Sequence, residues 1–334
     1  MRILVIRPGA LGDVLLTLPA LRALQARFPQ VEIDVMGNLE VVRLLPGRSV
    51  VRCAISFDEA ELARLFVPDT RPGRGLQKQL DRYELIVSYA TPPEHAFARN
   101  LTAWARGRVI SFDARPSAFG SAHASEHLQG PLEHLGARRD AGPPRLQLSD
   151  ADRQAAAQWL AAHNVDMRRV AAIHAGSGSA AKNWPAERFV ALAHVLIERH
   201  KLHVVWLAGP ADEQVVACVQ EAWGDAAIVW MRDAPLALVA AVLERCVLYA
   251  GNDSGVSHLA AAVGAPGVVV FGPTEPAIWA PRGALVSVVR GETSCAPCNS
   301  EQRRVCARTR CFDAVTAATV VAAAAELLQR APCP

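Results

Sequence analysis

Four short clusters in this 334-residue chain carry residue types that do chemistry. The first is Arg7-Pro8-Gly9-Ala10-Leu11-Gly12-Asp13, where an apolar run ends in a glycine turn and a carboxylate, with a helix expected over 14–27. Ligands of open α/β sheets bind at the carboxyl ends of strands, which makes Asp13 a candidate catalytic carboxylate. A simple helix-capping role is equally open, because Asp is a favoured cap. The two glycines do not match the G-x-G-x-x-G fingerprint of dinucleotide loops.

The second cluster is His174-Ala-Gly-Ser-Gly-Ser-Ala-Ala-Lys-Asn-Trp-Pro185. Its small residues let backbone amides approach an anion, and Lys182 adds a positive charge suited to a diphosphate. Lys182 is one of only three lysines, with Lys78 and Lys201, so it stands out from an arginine-rich surface. The run lacks G-x-x-x-x-G-K-[ST] and is no NTP-hydrolysing P-loop. Trp184 is expected to pack the loop down. In the third cluster an apolar run over 203–208 leads into Gly209-Pro-Ala-Asp-Glu213, and either Asp212 or Glu213 could accept from ribose hydroxyls or start the next helix.

The fourth cluster spans 247–276 and reads as strand, Asn252-Asp253-Ser254-Gly255 turn, Ala-rich helix, strand and second glycine turn. Free N–H groups and the positive end of the helix favour phosphate there, with an ordinary capped helix as the alternative. His174 and His258 read as internally satisfied histidines. Cys295, Cys298, Cys306 and Cys311 follow C-x2-C-x7-C-x4-C, a candidate four-thiolate site for structural zinc or iron, against reduced loop cysteines. Cys53, Cys218, Cys246 and Cys333 read as isolated thiols.

These clusters need elements to hold them. Apolar runs over 2–7, 31–37, 50–55, 84–89 and 109–112 predict strands between helical segments in the first half. The second half repeats the scheme with strands at 170–174, 203–208, 227–231, 247–250, 268–271 and 286–289, and helices near 186–200, 212–223, 235–245 and 254–263. The expectation is α/β, with two doubly wound units joined through the Pro/Gly-rich run 141–150 and facing each other across a cleft. The expected domains are 1–150 and 151–312, with a closing helical segment in 313–334.

Hydrophobic residues make up 51% and charged residues 20% of the chain, and no apolar run approaches the roughly 20 residues of a membrane span. The N-terminus reads as a strand rather than a secretory signal, so a cytoplasmic protein is expected. The net charge of +3 does not suggest a nucleic-acid binder. Residues 1–150 hold 19 Arg/Lys against 16 Asp/Glu, whereas 151–334 balance at 16 each. Arg64, Arg71, Arg74, Lys78 and Arg82 could form a basic loop over an anionic acceptor or a membrane surface, or a plain solvated loop.

Taken together, segments 1–13, 174–185 and 252–259 with Phe271-Gly-Pro-Thr-Glu-Pro276 resemble the ADP-heptose lipopolysaccharide heptosyltransferase family, glycosyltransferase family 9. The resemblance implies a GT-B architecture of two Rossmann-like domains, the acceptor on the first and the nucleotide sugar on the second. It implies inverting transfer of heptose from ADP-heptose to a lipopolysaccharide inner-core acceptor, a lipid-linked oligosaccharide, at the inner face of the inner membrane with peripheral membrane contact. Asp13 matches the family's general base, Lys182 the lysine near the donor phosphates, and Asp253, Ser254, Gly255 and Val256 the helix start that holds the diphosphate. Glu213 matches the acid near the ribose, the backbone over 231–236 would border adenine, and Ser177 or Ser179 would partner phosphate. No cofactor is required for catalysis on this reading, and base and phosphate cradle on different domains imply closure. Segment 64–124 offers no acceptor motif. Another nucleotide-sugar transferase, a GT-B epimerase or a non-catalytic nucleotide-sugar-binding protein are the competing readings.

Overall fold

The computed structural model describes residues 1–68, 70–116, 122–224, 227–306 and 310–330, so Cys333 lies outside the described residues. The chain forms two compact units, Met1–Gln147 and Leu148–Pro334.

In the first unit the strands are β1 (Arg2–Ile6), β2 (Glu32–Gly37), β3 (Val51–Ser56), β4 (Leu85–Ser88) and β5 (Arg108–Ser111). They form a parallel sheet in the order β3-β2-β1-β4-β5. Between them run α1 (Leu11–Leu15), α2 (Leu18–Arg27), α3 (Leu39–Val42), α4 (Arg74–Leu80) and α5 (Ala96–Trp104), and α6 (Ala124–His127) follows β5. Ile3, Leu4, Val5 and Ile6 are all fully buried, the continuous apolar run expected of a central parallel strand covered on both faces. One core layer gathers Leu4, Ile6, Met36, Ile86, Phe97, Leu101 and Trp104 around that sheet.

The helix expected over 14–27 is two helices. Pro19 stands in the first turn of α2, where its missing N–H costs nothing, and its ring excludes a continuous bond to the Leu15 carbonyl one turn earlier. Helix α1 also starts at Leu11, so Asp13 sits within its first turn rather than in the turn ahead of a helix.

The second unit holds β6 (Val170–His174), β7 (His203–Ala208), β8 (Val229–Arg232), β9 (Leu248–Asn252), β10 (Gly267–Phe271) and β11 (Val286–Arg290). All are parallel, in the order β11-β10-β9-β6-β7-β8. The helices are α7 (Asp150–Ala162), α8 (Ala186–Glu198), α9 (Glu213–Trp223), α10 (Leu236–Arg245), α11 (Gly255–Ala262), α12 (Pro276–Trp279), α13 (Ser300–Val305) and α14 (Ala317–Arg330). Val320, Ala324 and Leu327 of α14 enter the core beside Phe189, Val268 and Phe312. The strand order reverses between β1 and β4 in one sheet and between β6 and β9 in the other. Such reversals open a crevice at the carboxyl ends of the strands, so both sheets prepare a ligand position there.

Candidate active site

At the second reversal, β6 ends at His174 and β9 ends at Asn252, followed by Asp253 and Ser254. Asn252 is wholly buried: its Oδ1 accepts from the Trp184 N–H at 3.0 Å, and its Nδ2 donates to the Ala175 carbonyl at 2.8 Å. Trp184 is 1% exposed, stands edge-on to Phe189 at 4.8 Å and donates its Nε1–H to the Val315 carbonyl at 2.9 Å. The polar loop between β6 and α8 is therefore pinned at its far end by an indole and tied to β9 by a side-chain amide.

Ser254 caps α11, accepting from the Ser257 N–H. The first amides of that helix, at Gly255 and Val256, have no acceptor within the helix. Lys182 Nζ lies 2.7 Å from Asp253 Oδ2, which also accepts from Thr274 Oγ1 at 2.6 Å. Asp253 and Thr274 are both buried, while the Lys182 side chain keeps 24% of its surface exposed. An anion above α11 would meet two amides, the positive end of the helix dipole and an ammonium group, a combination suited to phosphate oxygens. Ser177 and Ser179 occupy the preceding loop. The Ser177 hydroxyl is spent there, 2.6 Å from Asn183 Oδ1 and 2.7 Å from the Ser179 carbonyl.

The structure separates Asp212 from Glu213. Asp212 is buried and accepts from the Gly209 N–H at 2.8 Å and from His174 Nε2 at 3.1 Å. Burial opposes its ionisation, but the bonds from His174 and Gly209 outweigh it and hold the carboxyl below its usual range. Glu213 is exposed and lines a cavity of about 360 Å³ with Gly209, Gln220, Arg232 and Asp233, beside the β8 exit. On its other ring nitrogen, His174 meets Ser254 Oγ at 3.3 Å. His174 is thus a bridge between the β7 turn and the α11 cap, whereas the sequence marked it only as internally satisfied. Its partners lie 38 and 80 residues away, and only the strand order unites them. The same sheet edge explains the roles of Asn252 and Thr274, which no spacing rule singled out.

In the first unit, Asp13 occupies the third position of α1 and reaches back to the Ala10 N–H at 3.0 Å, the reciprocal half of a capping arrangement. Its other oxygen meets Arg7 Nη2 at 3.1 Å, and Arg7 Nε contacts the Asp13 carbonyl and Thr17 Oγ1. Arg7 is 6% exposed, and burial lowers its pKa despite the attraction of Asp13. The Asp13 side chain remains 38% exposed, so the carboxylate is gripped from behind and open in front. Gly9 has φ +139°, and a Cβ on it would lie 2.8 Å from Asp13 Oδ2, so only glycine allows this approach. Capping geometry and an accessible acid therefore coexist at Asp13.

The candidate thiolate set is Cys295, Cys298, Cys306 and Cys311. Cys298 Sγ contacts the Cys295 carbonyl at 3.1 Å, and Cys295 and Cys306 are exposed. Cys311 is buried, and burial pushes its thiol up to about 11. Among the described residues no group of three or more His, Cys, Asp or Glu side chains is arranged to hold a metal ion.

Residues 120–307 match the family model described as glycosyltransferase family 9 (heptosyltransferase). The chain is 28% identical over 318 residues to lipopolysaccharide heptosyltransferase 2 of Escherichia coli K12, covering 87% of this chain and 88% of that protein. In structure it resembles the family 9 glycosyl transferase of Veillonella parvula, with TM-score 0.79 and 21% identity over 99% of this chain and 97% of that one. The E. coli ADP-heptose lps heptosyltransferase II superposes with TM-score 0.74 and 21% identity, over 99% of both chains. These likenesses give the two units the GT-B architecture, and the match over residues 120–307 makes the chain a member of glycosyltransferase family 9, the heptosyltransferase family.

Proposed function

We infer that this chain transfers heptose from ADP-heptose to the inner core of lipopolysaccharide, with inversion at the anomeric carbon. The observation that carries the reading is the convergence of Lys182 and the start of α11 at the β6/β9 reversal. The named activity of the relatives supplies the sugar and the acceptor class.

On this reading Asp13 accepts the proton of the acceptor hydroxyl as that oxygen attacks the anomeric carbon. The bond to the diphosphate breaks in the same displacement, its electron pair leaves with ADP, and the configuration inverts. Lys182 and the amides of Gly255 and Val256 meet the charge that grows on the leaving oxygen, and Asp253 holds Lys182 in register. Ser254 supplies its hydroxyl, Ser177 and Ser179 shape the loop, and Glu213 accepts from the ribose. Phe66 and Val67, 43% and 50% exposed beside Arg64 and Arg71, support peripheral contact with the membrane that carries the acceptor. No helix among the described residues is long and apolar enough to cross a membrane.

The test is transfer to a deacylated inner-core acceptor, with the product anomer assigned by NMR. Asp13→Ala is expected to lose about 10²- to 10⁴-fold in rate, the range of a general base. Wild-type activity in that variant would remove Asp13 from the mechanism, and a product that retains the donor configuration would remove the single displacement.

A further inference from the structure

The mechanism above leaves a buried histidine without a task. His174 Nε2 faces Asp212 at 3.1 Å and Nδ1 faces Ser254 Oγ at 3.3 Å, with all three residues buried. We propose that His174 is a positioning residue that couples proton uptake to diphosphate binding, by deciding whether the Ser254 hydroxyl points at the imidazole or at the ligand. This rests on the reading of α11 as the nucleotide-sugar diphosphate site.

Asp212 accepts only, so the proton on Nε2 is fixed and the neutral ring offers a lone pair at Nδ1. Ser254 Oγ then donates its single hydrogen to Nδ1, while accepting from the Ser257 N–H at 3.4 Å; Ser257 Oγ, also 3.4 Å away, is already bonded to the Tyr249 hydroxyl and the Asn252 carbonyl. In that state the hydroxyl has no hydrogen for a phosphate oxygen. When a proton from solvent adds to Nδ1, the bond reverses: Nδ1–H donates, Ser254 Oγ accepts it, and the hydroxyl hydrogen is released toward the start of α11. The imidazolium is then held between the Asp212 carboxylate and the incoming anion. Binding of the diphosphate and protonation of His174 thus favour each other by the same factor.

The ionisable groups on the surrounding elements are few. Asp212 follows β7, Tyr249 lies on β9 with its hydroxyl 2.9 Å from Ser257 Oγ, Asp253 follows β9, Lys182 lies in the β6–α8 loop and His258 on α11. Asp253 is already paired with Lys182 and Thr274. Burial pushes the Tyr249 hydroxyl up, so it stays protonated throughout the range in which histidine titrates. Gly176 completes the arrangement: a Cβ there would lie 1.8 Å from Asp212 Oδ1, so glycine is what lets Asp212 reach the ring.

The test uses ADP-glucose, a diphosphate diester without the second phosphate ionisation near pH 6 that would obscure a protein proton. Calorimetry in buffers of different ionisation enthalpy is expected to show uptake of a fraction of a proton on binding. Charged hydrogen bonds are roughly twice as strong as neutral ones, which sets the expected loss of affinity at about tenfold as rising pH removes the proton. His174→Gln is expected to bind with a flat profile. Ser254→Ala separates the hydroxyl switch from the bare field of the ring: it flattens the profile too, and a full wild-type slope in this variant would overturn the switch. Nitrogen-15 spectra of the wild type provide a readout without substitution, with Nδ1 gaining its proton on saturation. Binding with no proton uptake and an unchanged Nδ1 signal overturns the proposal alone. Absence of binding to any ADP-sugar overturns the donor-site reading and this inference with it.

Discussion

The Lys182–Asp253 pair offers the sharpest quantitative test of the proposed donor site. Lys182→Met would leave the Asp253 carboxylate, 5% exposed, with Thr274 as its remaining side-chain partner. Removing one member of a fully buried ion pair costs about 3–5 kcal/mol, because the other charge stays buried. Lys182 is itself a quarter exposed, so part of that attraction is screened and the expected cost falls to roughly 2 kcal/mol. For a unit of this size that is a fall of about 4–8 °C in Tm, read by calorimetry. Asp253→Asn leaves Lys182 free to reach water and is expected to cost about half as much. The double variant should be more stable than the sum of the single costs by about 1 kcal/mol, the size of coupling found between contacting groups.

Binding of ADP by the two single variants reads the phosphate contact separately from stability. Loss of a charged hydrogen bond to phosphate costs roughly 1.5–3 kcal/mol, or about ten- to hundredfold in affinity for Lys182→Met. Asp253→Asn removes a carboxylate that repels the diphosphate while it orients the lysine, so its binding loss should be the smaller of the two. Additive stabilities within about 0.5 kcal/mol, or an affinity loss in Asp253→Asn as large as in Lys182→Met, would refute the assignment of Asp253 as the counterion of a phosphate-binding lysine.

Other substitutions test separate steps. Gly9→Ala, at φ +139° and with its Cβ 2.8 Å from Asp13 Oδ2, should push the carboxylate off Arg7 and lower transfer about 10²-fold with little change in donor affinity, as measured by initial rates beside ADP calorimetry. Trp184→Ala should cost about 3–5 kcal/mol in denaturant unfolding, because the indole is fully buried and its Nε1–H is bonded. Asp212, whose folded pKa lies below the ordinary one, contributes stability above about pH 4 that is lost as pH falls through the folded value. Asp212→Asn should therefore flatten the acid limb of a Tm profile between about pH 5 and about pH 2 while lowering Tm at neutral pH.

Strand placement was legible because parallel strands covered on both faces are written as unbroken apolar runs, and 170–174 and 203–208 match β6 and β7 to the residue. Helix ends were legible less often. The helix expected across 14–27 hid a break, because Pro19 is tolerated in a first turn and gives no local sign that a new helix begins there. Asp13, Lys182 and Asp253 declared themselves through type and position at strand exits. His174, Asn252, Thr274 and Arg7 did not, since each acts through a partner supplied by a different strand or turn. Such pairings are fixed by the order β9-β6-β7 and by the approach of α1 to β1, neither of which leaves a periodic trace in the sequence.

The small residues of the two glycine turns take on a different meaning in the structure. Read as sequence, those after His174 open space for an anion and those after Arg7 make a tight turn; in the fold, Gly9 and Gly176 first make room for an acid of the chain itself. A Cβ on either would collide with an aspartate oxygen, Asp13 in one unit and Asp212 in the other. Each of these carboxylates is then gripped at two points, by the Ala10 N–H and Arg7 or by the Gly209 N–H and His174. What separates them is access, since the side chain of Asp13 is 38% exposed and that of Asp212 is 9% exposed. An acid held in this way but open to solvent is able to take a proton from a substrate hydroxyl, whereas one sealed against an imidazole acts only through the ring it holds. That difference in exposure is the physical basis for proposing Asp13 as the base and confining Asp212 to the orientation of His174.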